Sequence, residues 1–139
     1  MKHIPDHLLQ EGTPATPGYA KIISLEDWCV ATLTCFDRTR PGLFEKVERH
    51  LQTPEVFVLT EGCADLIVCS GDESPEEIFV RPMERSRTYC IPAGVWHHVV
   101  MSENAYIVLF EKCDTSAENS EYHYFSSEKK ESIRTLFSI

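Results

Sequence analysis

Apolar side chains recur at every second position in short runs along most of this chain. The runs are Cys29–Phe36, Phe44–Arg49, Glu55–Leu59, Ala64–Cys69, Ile78–Arg81, Arg87–Ile91, His97–Met101, Ala105–Glu111 and Tyr122–Phe125. A period of two over four to eight residues marks a strand with one buried face. Turn chemistry separates the runs at Pro41-Gly42, Glu61-Gly62, Ser70-Gly71-Asp72 and Ala93-Gly94, so the pattern predicts an all-β sandwich or barrel. Pro5, Gly12, Pro14, Pro17 and Gly18 break up the first twenty residues and predict an irregular N-terminal arm. At the other end Ile133, Leu136 and Phe137 share one helical face, and Ser127 is placed to cap a short C-terminal helix. The expected organisation is a single domain, with an arm over 1–20, a barrel over 28–126 and a helix over 127–139.

The alternation also sorts the polar residues. Along residues 44–50, Phe44, Lys46, Glu48 and His50 take one face, and Glu45, Val47 and Arg49 take the other. In the next strand Glu55 shares a face with Phe57 and Leu59, which places two hydrophobes on the floor of a barrel and a carboxylate at its mouth. After Pro92-Ala93-Gly94, the row His97, Val99 and Met101 points inward, and His98 and Val100 point outward. Glu48, His50, Glu55 and His97 thereby converge from neighbouring strands. Neutral imidazoles with carboxylates suit one divalent transition metal (Zn, Mn, Fe or Ni) that keeps open positions for substrate or water.

Glu48 is open to three roles: fourth ligand, catalytic base, or ion-pair partner of Lys46 on the same face. Lys46 is the catalytic candidate for holding a substrate carboxylate, and Tyr89, Tyr106 or Tyr122 for donating to a developing oxyanion. Simpler roles fall to other residues. Arg49 and His98 are expected at a surface or interface, Trp96 in packing at the turn, Arg81, Arg85 and Arg87 with Glu84 on a solvated face, and Met83 and Met101 in the core.

Bulk properties narrow the partners. The 139 residues carry a formal net charge of −9, and no cluster of Lys or Arg is longer than a pair. Such a field repels phosphate backbones and anionic lipid, so nucleic acid and membrane surfaces are not expected, and a small-molecule substrate is. No apolar run is long enough for a membrane helix, and the N-terminus lacks the apolar core of a secretory signal, so a cytoplasmic protein is expected. Cys29, Cys35, Cys63, Cys69, Cys90 and Cys113 contain no CxxC pair. They are expected as reduced, buried, small hydrophobes rather than a disulfide framework.

Two segments resemble a known family. His50, Glu55 and Gly62 are spaced as in the first motif of the cupins, and Pro92-Ala93-Gly94-Val95-Trp96-His97 resembles their second, Pro-x-Gly-x-x-His. The resemblance covers roughly residues 28–112. It implies a double-stranded β-helix (a jelly-roll barrel), with His50, Glu55 and His97 as metal ligands and commonly a homodimer, to which the apolar arm residues Ile4, Leu8 and Leu9 are suited. Glu48 stands where the family usually has a histidine, and Met101 where it usually has Asn. Within the cupins, Glu48-Arg49-His50 and Gly94-Val95-Trp96-His97-His98 look like the ureidoglycolate lyase branch, although Glu55 and Val99 depart from that branch's Gln and Pro. The resemblance implies a metal-dependent lyase or isomerase of a hydroxy- or keto-acid. A non-catalytic ligand-binding or sensing cupin and an Fe(II) dioxygenase are the alternatives.

Overall fold

The computed structural model describes residues 1–139. Its strands are β1 (Tyr19–Leu25), β2 (Trp28–Thr34), β3 (Lys46–His50), β4 (Glu55–Glu61), β5 (Ala64–Cys69), β6 (Ile78–Pro82), β7 (Thr88–Ile91), β8 (Trp96–Met101), β9 (Tyr106–Lys112) and β10 (Ser120–Tyr124), followed by one helix, α1 (Ser127–Arg134). They form two five-stranded antiparallel sheets, ordered β1-β2-β9-β4-β7 and β10-β3-β8-β5-β6. This is the all-β sandwich expected from the alternation, in the jelly-roll form that the family resemblance implied. No helix is long and apolar enough to cross a membrane.

Most of the inward rows run from apolar at one end of the sandwich to polar at the other. Ala31 and Leu33 of β2, Phe57 and Leu59 of β4, Leu66 of β5, Val99 and Met101 of β8, and Ile107 and Leu109 of β9 form the core between the sheets, with Met83 and Ile91. The same rows then continue into Glu55, His97 and Glu111, all buried. Closure of the apolar end excludes water and leaves the polar end as the place where a ligand can enter. A second cluster lies on the outer face of the β3–β8–β5 sheet. There Phe44, Val47, Ile67, Trp96 and Val100 are covered by Ile133 of α1, with Phe125 and Phe137 packed alongside.

Several local expectations change. β1 begins inside the stretch expected as arm, and the periodicity did not mark it, because a bulge between Lys21 and Ile23 breaks the two-residue repeat. Phe44 does not share the face of Lys46, Glu48 and His50. It precedes the strand and packs in the outer cluster against Phe125, Phe137 and His98. His98 does point outward, but it is half-buried and donates from Nε2 to the Arg38 carbonyl, 3.0 Å away. Burial pushes its pKa down to about 4.

Cys63 and Cys90 are exposed rather than buried, whereas Cys29 and Cys69 are buried, and all six thiols are free. The helix is capped by Ser126, whose side chain accepts from the Lys129 amide, and it stops at Arg134, leaving Leu136 exposed. Met83, Met101 and Trp96 are buried as expected, while Ile4, Leu8 and Leu9 project into solvent from the single chain.

Candidate functional site

Register places each polar side chain at the open end. On β3 and β8 Glu48 lies directly opposite His97. On β10 Ser120, Tyr122 and Tyr124 pair with His50, Glu48 and Lys46, so the edge strand supplies a matching row along the same rim. The two motif segments are tied together by backbone. The Gly94 amide donates to the His50 carbonyl at 2.8 Å, and the turn needs φ of +81° there, a conformation suited to glycine.

Both imidazoles aim their Nε2 atoms at one carboxylate oxygen. Glu55 Oε2 lies 3.0 Å from His97 Nε2 and 3.3 Å from His50 Nε2. The other ring nitrogens are held from behind, His97 Nδ1 by the Val95 carbonyl and His50 Nδ1 by the Ser120 hydroxyl, both at 2.8 Å. A carbonyl only accepts, so His97 Nδ1 carries its proton and a neutral ring would present its Nε2 lone pair to Glu55. Only a second ring proton or a shared cation makes that contact favourable. This is the arrangement of a metal-binding histidine with its outer hydrogen bond in place. Donors about 2.1 Å from one ion would stand about 2.9 to 3.4 Å apart in octahedral or tetrahedral geometry, which matches both separations, so the residues fit a transition metal.

Without a metal, burial works against ionisation of Glu55, yet its hydrogen bonds to His50 and His97 prevail and draw the carboxyl down to about 2. Burial likewise opposes protonation of His50, and Glu55 overcomes it and raises the imidazole above its ordinary value.

The sequence-derived residues Lys46, Glu48, His50, Glu55 and His97 all line one cavity of about 300 Å³. Glu48 is half-buried and makes no ion pair with Lys46. The ammonium of Lys46 instead donates to the Tyr124 hydroxyl at 3.2 Å and lies 4.4 Å from the centre of the Tyr122 ring. Tyr122 therefore borders the cavity, whereas Tyr89 accepts a hydrogen bond from the Glu84 amide and, like Tyr106, lies away from it.

Two residues of the site were not singled out from the sequence. Glu111 is 3% exposed, lines the cavity, and accepts a hydrogen bond from the Tyr19 hydroxyl. Its signal was present, because alternation along Ala105–Glu111 puts it in line with Ile107 and Leu109, as Glu55 is in line with Phe57 and Leu59. Tyr19 had no such signal, since it lies on the unmarked β1. Burial raises the Glu111 carboxyl despite the Tyr19 hydrogen bond, and burial together with Glu111 raises the Tyr19 hydroxyl. Candidate metal donors come together in two sets that share His50: Glu48, His50 and His97, and the wholly buried His50, Glu55 and Glu111.

No protein-family model and no curated protein sequence matches this chain. Solved structures do. The Streptomyces nucleoside dehydratase Pac13 is 12% identical, with 80% of this chain and 81% of that one covered and a TM-score of 0.57. Oxalate decarboxylase from Bacillus subtilis is 13% identical over 69% of this chain but 24% of its own, with a TM-score of 0.51. A cupin-2 domain protein from Shewanella frigidimarina is 21% identical over 77% and 87% of the two chains, with a TM-score of 0.48. At these identities the likeness concerns the fold alone, the two-sheet antiparallel jelly roll described above.

Proposed function

We propose that this chain is a metal-dependent enzyme of the cupin fold, a lyase or isomerase of a small hydroxy- or keto-acid, with ureidoglycolate as the first substrate to assay. The observation that carries the reading is Lys46. Its side chain lines the cavity beside Glu48 and the histidines, is 9% exposed, and has no carboxylate partner. A buried ammonium is costly unless something anionic meets it. A substrate carboxylate would supply that charge. The cavity volume suits a metabolite of a few carbons.

His50, Glu55 and His97 are the residues that would hold the metal, with Glu48 or Glu111 as a further donor. When bound, the metal supplies Lewis acidity to a carbonyl or hydroxyl oxygen. Lys46 orients the substrate carboxylate, its ammonium held from outside the cavity by the Tyr124 hydroxyl. Glu48, opposite His97 and open to the cavity, accepts the hydroxyl proton of the substrate as the carbonyl forms and the adjacent C–N bond breaks, and it returns that proton to the departing urea nitrogen. Tyr122 and the apolar floor of Phe57, Val99 and Leu109 limit the water around the reacting atoms. The similar fold of a nucleoside dehydratase supports a lyase, because both reactions ask one pocket for a proton acceptor and a proton donor on either side of the bond that breaks.

Elemental analysis of purified protein tests the reading. The expected result is a transition metal near one per chain that disappears in the His50→Ala, His97→Ala double variant. Wild-type protein that carries no metal and takes up none of Zn, Mn, Fe or Ni refutes it. Lys46→Met should raise KM for hydroxy-acids at least about tenfold and leave metal content unchanged. Oxygen consumption during turnover would favour the dioxygenase instead.

A further inference from the structure

We propose that Glu111 of β9 is a metal ligand, oriented by Tyr19, and that Glu48 remains a free carboxylate facing the substrate. The inference rests on the metal-dependent reading above and divides the two acidic residues that it left interchangeable.

Four observations separate them. The donor set His50, Glu55 and Glu111 is buried throughout, whereas the set containing Glu48 includes a half-buried side chain. β4 and β9 pair with Val56 opposite Phe110, and continuing that register by one residue sets Glu55 across from Glu111. Two carboxylates facing each other on adjacent strands, at 6% and 3% exposure, repel strongly with little water to screen them. A divalent cation between them removes that repulsion, and no Lys or Arg pairs with either. Finally, Tyr19 donates to one oxygen of Glu111, and no donor in the fold reaches the other oxygen. That is the pattern of a ligating carboxylate, with one oxygen fixed by an outer hydrogen bond and one left to bind.

Glu48 lacks such support. No hydrogen bond within the fold holds its carboxylate, and the side chain sits on the Lys46 and Tyr122 rim of the cavity. A carboxylate in that place can change partners as a substrate arrives, which a base must do and a metal ligand need not.

Zn²⁺ affinity decides between the two residues, measured on metal-stripped full-length protein by competition with a chromophoric chelator. Co²⁺ spectra of the same variants report the ligand field, and circular dichroism reports folding. Glu111→Gln should weaken Zn²⁺ binding more than about tenfold, and Tyr19→Phe, which keeps the ring, by several-fold to tenfold. Both should alter the Co²⁺ visible bands. Glu48→Gln should stay within about threefold of wild type and leave the bands unchanged. If Glu48→Gln loses as much affinity as Glu111→Gln, or if Glu111→Gln binds like wild type, the assignment of Glu111 fails and the metal-dependent reading stands. Wild-type protein that binds no Zn²⁺ or Co²⁺ overturns both. Should Glu111→Gln fail to fold, Tyr19→Phe decides alone: unchanged affinity and spectrum would refute the assignment.

Discussion

Replacing Glu55 by Gln in the metal-free protein should remove stability in a pH window that the structure defines. The side chain is 6% exposed, and its Oε2 lies 3.3 Å from His50 Nε2 and 3.0 Å from His97 Nε2, so it accepts from each ring that is protonated. Its carboxyl lies at about 2 against an ordinary 4.5. At about 1.4 kcal/mol per pH unit, that depression corresponds to about 3 kcal/mol contributed by the ionised form. A group whose folded pKa is lowered contributes fully above its unfolded pKa and loses the contribution as pH falls through the folded value. The Glu55 term should therefore be complete above about pH 4.5 and vanish towards pH 2. His50 behaves oppositely. Its pKa is raised in the fold, so its share is complete below about 6.5 and is lost as pH rises through the folded value. The difference between wild type and Glu55→Gln should consequently form a plateau of about 3 kcal/mol between roughly pH 4.5 and 6.5 and shrink on both sides. Urea titrations of both proteins at six or more pH values, in the presence of a chelator, measure it. A difference that is flat with pH, or that grows above pH 8, would refute the hydrogen-bonded His–Glu–His arrangement.

Three further outcomes follow from packing. Under native conditions a maleimide should label Cys63 and Cys90 first and reach Cys29 and Cys69 only after unfolding, as read by peptide mass spectrometry; early labelling of Cys29 would mean that β2 is not buried as described. Ile133→Ala should cost about 2–4 kcal/mol in urea titration, since Ile133 is 1% exposed against Phe44, Trp96 and Val100. Its metal affinity should match wild type, because that cluster lies across the sheet from the site. Gly62→Ala should lower Tm by about 5 °C or more, because φ is +68° and a Cβ would come 2.6 Å from the Ala105 Cα. A smaller drop would show that the β4–β5 turn relaxes without strain.

What the chain declares by itself is whatever depends on local alternation. A period of two states which residues share a face, and so β3, β4 and β8 already aligned Glu48, His50, Glu55 and His97 before any fold was known. The Gly94 turn was legible for the same reason, because a positive φ leaves its mark in residue type. Other features depend on contacts between distant segments and leave no such mark. β1 carries a bulge that scrambles its period, so Tyr19 entered the site unseen. Phe44 sits just before its strand and turned to the outer cluster because α1 and Phe125 offered it an apolar cover. The exposure of Cys63 and Cys90 was decided by their positions in a turn and on an outward edge row. Glu111 lies between the two cases. Alternation named its face, but only the β4–β9 register set it opposite Glu55, and only the folded hairpin of β1 and β2 brought the Tyr19 hydroxyl to hold it. Periodicity determines direction along one strand; the meeting of charges from different strands is settled by register and by which surfaces find something to bury them.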